Sequence, residues 1–163
     1  MVKRVLKSAG VLAVASAVAG LLGQACNAST ASAQTETRDP IEGVWSSAVT
    51  ITDCQGTTTR QFQALNLFHD GGTVSDTDSQ PPTTHGPAFG TWQSQGGGTY
   101  GSVFQFFRFN SDGSVAGSNR VQRTITLGAD GKSFTSTISI SVLNPVGTQV
   151  STACGTETAA RLQ

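Results

Sequence analysis

Glu42-Gly-Val-Trp-Ser-Ser-Ala-Val-Thr-Ile-Thr-Asp-Cys54 reads as a first strand, with Trp45, Ser47, Val49 and Ile51 on one face and Ser46, Ala48 and Thr50 on the other. Its partner lies at the far end of the chain, in residues 148–162. In an antiparallel pair the numbers of facing residues sum to a constant. The sums for Trp45 with Arg161 and for Cys54 with Cys154 agree within one diagonal step. Trp45 and Arg161 then share one side of the ribbon, and the two cysteines share the other. A first strand paired with a last strand closes a sheet into a barrel.

Working outward, short alternating runs rich in Thr, Val, Ile and Phe recur, and no window sustains apolar residues at helical spacing. Strands are expected at 43–53, 60–69, 73–78, 88–95, 100–110, 115–127, 133–143 and 148–162. Turn signals separate them: Asp70-Gly71-Gly72, Gly96-Gly97-Gly98, Ser111-Asp112-Gly113-Ser114, Asp130-Gly131 and Asn144-Pro145-Val146-Gly147. The fold class is all-β, a single roughly eight-stranded antiparallel up-and-down β-barrel over residues 42–163 with first and last strands paired. One connection, 79–87, is long and proline-rich, as expected of a lid or rim.

Residues 1–33 read as a secretory signal peptide: Lys3, Arg4 and Lys7 precede an apolar run over 11–22, and Ala31-Ser32-Ala33 offers a cleavage point. Lipid anchoring at Cys26 is the alternative at this end. Residues 34–41 form a flexible leader. The expected location is secreted or periplasmic. Removing the three basic residues of the signal leaves an excess of three acidic over basic groups. With no basic patch to neutralise phosphates, nucleic acid is excluded as a partner. No later apolar run approaches membrane-spanning length. Cys54 and Cys154, the only cysteines of the exported portion, are expected to form a disulfide rather than a metal site.

Gly43-Val44-Trp45 at the head of the first strand, with Arg161 near the end of the last, resembles the pattern of lipocalins. In that family the tryptophan closes the barrel floor and a basic side chain packs across its ring. The chain is similar to a bacterial secreted lipocalin-like (calycin) protein. That resemblance implies the barrel topology.

Inward faces follow from the alternation. The Trp45 face is met by Ala153, Gly155, Glu157, Ala159 and Arg161, whose small members leave space, and a buried Glu157 calls for Arg123 or Arg120 as partner. Phe104 and Phe106 point one way, Phe107 and Phe109 the other. Such aromatics either fill a core or line a ligand site. Gly90-Thr91-Trp92 marks a strand bend or a close backbone approach. His85, in the 79–87 loop, reads as a solvated residue or as a group titrating near neutrality at the barrel mouth. Asp76 and Asp78 share a face of the third strand, as the polar edge of an exposed strand or as acid–base or cation-binding groups.

No phosphate loop, nucleophile elbow, zinc motif or dinucleotide fingerprint occurs, and no cofactor is called for. The leading expectation is a binding protein that carries or sequesters a small apolar ligand. Its site comprises Trp45, Trp92, Tyr100, Phe104 and Phe106, with Arg123 or Glu157 orienting a polar head group and His85 at the loop end. The alternatives are a small barrel enzyme of isomerase, cyclase or hydratase type using Tyr100, Arg123, Glu157 or His85, a tetrapyrrole held by His85 or His69, and a barrel packed solid.

Overall fold

The structure is a computed structural model and describes residues 38–163. The expected signal peptide, the lipidation alternative at Cys26 and most of the leader lie outside the described residues. Eight strands follow one another: β1 (Gly43–Thr52), β2 (Thr58–Phe68), β3 (Thr73–Asp78), β4 (Ala88–Gly96), β5 (Thr99–Phe109), β6 (Val115–Leu127), β7 (Ser133–Leu143) and β8 (Gln149–Arg161). Each pairs antiparallel with the next, and β1 pairs with β8, so the sheet is a closed up-and-down barrel. The register between β1 and β8 is Trp45↔Arg161 through Thr52↔Cys154.

Cys54 therefore lies beyond the end of β1, in the turn before β2, with φ at 67°. From there it joins Cys154, with the Cα atoms 4.9 Å apart. The diagonal step between the two sequence pairings is this overhang of the turn. The bond ties the β1–β2 corner to the middle of β8 on the outer surface.

Odd-numbered residues of β1 and β8 and even-numbered residues of β5 and β7 face inward, as the burial alternation shows. Inside the barrel, side chains form three layers along its axis. At the end that holds the start of β1, Trp45, Phe68 and Phe134 are almost wholly buried. Trp45 and Phe134 ring centroids lie 5.0 Å apart, Phe68 and Trp92 6.2 Å, and Trp92 and Tyr100 5.9 Å. Ile41 caps this layer, and its carbonyl accepts a 2.8 Å hydrogen bond from Trp45 Nε1. The Arg161 guanidinium lies 4.2 Å from the Trp45 ring centroid and donates to the carbonyls of Pro40, Glu42 and Gly131. This end is a solid aromatic floor. Gly90 is required beside it: a Cβ there would sit 1.9 Å from the Val103 carbonyl oxygen and 2.7 Å from Phe104 Cβ.

The opposite end carries the β1–β2, β3–β4, β5–β6 and β7–β8 connections. The long β3–β4 connection is laid against β5 by backbone hydrogen bonds from Gly86 N to Phe107 O and from Phe109 N to Thr84 O, each 2.9 Å. It forms part of the rim. Among the described residues no helix is long and apolar enough to cross a membrane.

Candidate functional site

Above the aromatic floor lies a layer of polar side chains that the strand alternation turns inward. Glu157 on β8 and Arg123 on β6 are both almost fully buried, and Arg123 Nη1 lies 3.2 Å from Glu157 Oε2. Asn66 on β2 bridges them: its Oδ1 accepts from Arg123 Nη1 at 2.6 Å and its Nδ2 donates to Glu157 Oε1 at 3.0 Å. Ser136 donates to Glu157 Oε2 at 2.8 Å, and Arg123 Nη2 donates to Ser102 Oγ at 3.3 Å. Arg123 also lies 4.7 Å and 5.5 Å from the ring centroids of Phe104 and Phe68. A buried ion pair survives only when such surrounding hydrogen bonds and π faces offset its desolvation. Of the two arginines anticipated as partners of Glu157, it is Arg123 that supplies the charge. Arg120, on the opposite face of β6, is exposed.

Above this layer is a cavity of about 190 Å³ that opens towards the long connection. Its walls are mostly apolar, with Val49, Ile51, Phe62, Phe104, Phe106 and Ile140 prominent, and the Arg123–Glu157 pair forms its base. Asp76, Asp78, Arg60, Gln80 and Asn119 add polar groups nearer the mouth. The two aspartates are thus not a solvated strand edge. They share the inward face of β3 with buried Val74, because β3 is paired on both sides, to β2 and to β4.

Enclosure dominates the chemistry of Asp76. Burial, opposed by Arg123 and reinforced by the charges of Glu157 and Asp78, pushes its carboxyl up to about 7. Asp78 is differently placed: it accepts from the backbone and side chain of Gln80 and from His85 Nε2, the last at 2.8 Å. The other His85 nitrogen contacts Gly86 O at 3.1 Å, and its ring centroid is 5.3 Å from that of Phe106. His85 is therefore a partly buried rim residue, tied to the inward face of β3 rather than free in solvent.

Of the residues anticipated from sequence, the cavity brings together Phe104, Phe106, Arg123 and Glu157. Trp45, Trp92 and Tyr100 point inward but belong to the floor below the polar layer, outside the cavity lining. Burial first, then the Asp39 carboxylate, pushes the Tyr100 hydroxyl up to about 12, so it stays protonated. His69 contacts Ser75 Oγ at 3.0 Å, outside the cavity lining. Asn66 has no place among the sequence expectations, and Asp76 stands there as an acid–base or cation-binding candidate or a polar strand edge, not as a lining residue of the ligand chamber. The signal that could have found them is parity with Val74 for Asp76 and the pairing of Asn66 with Trp45 for Asn66.

Fold and site together define a closed antiparallel barrel with one plugged end, a charged buried middle and a small apolar chamber at the other end. No protein-family model matches the chain, and neither a curated protein nor a solved structure does so.

Proposed function

We propose that the protein is an exported, lipocalin-like barrel that binds a small, largely apolar molecule in the chamber above Arg123 and Glu157, carrying or sequestering it. The observation that supports this reading is the chamber itself: apolar walls, a few convergent polar groups and a route out at one end, the usual make-up of a ligand site. At about 190 Å³ it is only somewhat larger than the roughly 150 Å³ apolar cavity known to admit benzene, so the ligand is of monocyclic size. Export is favoured by the Cys54–Cys154 bond, which suits an extracellular or periplasmic compartment.

Titration with a small environment-sensitive apolar dye tests the reading. Saturable binding is expected, weakened when Phe106 is replaced by Trp, which fills the chamber, and altered when Phe104 is replaced by Ala. Absence of saturation, or indifference to both changes, identifies a barrel without a ligand role. A second reading, a small barrel enzyme of isomerase, cyclase or hydratase type, is favoured by one observation. A carboxyl poised near neutrality beside an apolar chamber is the group that proton transfer to or from a bound substrate requires.

A further inference from the structure

The charges around the chamber do not cancel evenly. Glu157 and Arg123 neutralise one another at 3.2 Å, and Asp78 is occupied by His85 and Gln80. Arg60 stands at the exposed mouth, where it donates to Gln80 Oε1 at 2.6 Å. Asp76 is left over. The influences on its carboxyl are burial and neighbouring charges, with no hydrogen bond among them. Across the same chamber Asn119 Oδ1 is buried and has no hydrogen-bond partner among the described residues. Asn119 Oδ1 is an enclosed acceptor without a donor, and the half-buried Asp76 carboxyl accepts no hydrogen bond from the described residues, so a ligand donor at this point recovers free energy that enclosure costs. The unpartnered Arg123 Nε is a donor, but its guanidinium is already flanked by the rings of Phe68 and Phe104.

We propose that the chamber is a binding site for a small apolar amine, its ammonium seated against the Asp76 carboxylate and its hydrocarbon body along Phe104 and Phe106. The proposal rests on the small-molecule reading above and specifies its ligand class. An ammonium carries three donors and no acceptor, which matches what Asp76 and Asn119 lack. An anion would meet Asp76, Asp78 and Glu157 together. A neutral carbonyl compound would need Asp76 in its acid form as donor, and its binding would weaken as pH rises. For an amine the sign is opposite, because the ammonium pairs with the ionised carboxyl.

The groups that bear on Asp76 are Asp78 on its own strand, Arg123 on β6, Glu157 on β8 and His85 from the long connection, with Arg60 of β2 lining the mouth. His85 is the one imidazole among these neighbours.

Calorimetric titration of the folded protein with benzylamine, and with benzyl alcohol as its uncharged near-isostere, tests the proposal. Benzylamine is expected to bind at least about tenfold more tightly than the alcohol at about pH 8. Its affinity should fall roughly tenfold per pH unit once Asp76 protonates, below about pH 7, while that of the alcohol stays flat. Asp76→Asn, near-isosteric and checked for an intact thermal transition, should lose both the preference and the slope. His85→Gln should keep the slope. If the alcohol binds as well as the amine, if the amine's affinity rises on acidification, or if the slope survives in Asp76→Asn, the amine assignment is overturned while the binding function stands. If neither compound binds, the small-molecule reading falls with it.

Discussion

Replacing Asp76 by Asn exposes how much stability the chamber gives up to hold an enclosed carboxyl. The folded protein raises this group from 3.8 to about 7, so between those values the folded state keeps a proton that the unfolded state has released. Stability must then fall as pH rises through that window, since the unfolded state binds fewer protons than the native one. At 1.36 kcal/mol per unit the full shift corresponds to about 4 kcal/mol, and water reaching the chamber reduces this to roughly 2–4 kcal/mol. The Asn variant keeps the shape without the charge. Between about pH 5 and about pH 8 only the upper two units of that shift are crossed, so urea unfolding should show wild type losing roughly 1.5–2.5 kcal/mol relative to Asp76→Asn on going to the higher pH. Parallel stability profiles for the two proteins, or a wild type that gains on the variant with rising pH, would refute the reasoning.

Trp45→Ala should destabilise the barrel by roughly 3–5 kcal/mol in chemical unfolding, since it empties the fully buried centre of the aromatic floor and frees Arg161 of its ring. Peptide mapping without reductant should recover Cys54 linked to Cys154; because the bond closes a separation of 100 residues, replacing both by Ser should cost up to about 4.7 kcal/mol. Glu157→Gln should cost about 3–5 kcal/mol by stranding the buried Arg123 guanidinium, whereas Arg123→Met combined with Glu157→Leu should cost markedly less than the sum of the single changes.

The architecture was legible because two widely separated pairs, Trp45 with Arg161 and Cys54 with Cys154, converged on one β1–β8 register, and a closing register leaves little freedom for the strands between. Hairpin glycines then placed the corners. Site residues were legible as far as parity reaches. Phe104, Phe106, Arg123 and Glu157 were assigned inward, and all four line the chamber. Parity says nothing about depth along the barrel axis, which depends on where each strand begins and on the stagger between strands. Hence Trp45, Trp92 and Tyr100, correctly turned inward, occupy the floor rather than the chamber. Asp76 and Asp78 looked like a solvated edge because β3 is short and polar. Closure of the sheet leaves no such edge, and Val74 two residues earlier sets their direction.

The most direct test of ligand binding at the open end is methyl NMR during titration with benzyl alcohol, following the isoleucines at both ends of the barrel. Saturable shifts are expected at Ile51, Ile138 and Ile140, which line the chamber, with little change at Ile41 and Ile125, which are buried outside its lining. Shifts absent throughout, or confined to Ile41 and Ile125, would contradict a binding chamber above Arg123 and Glu157.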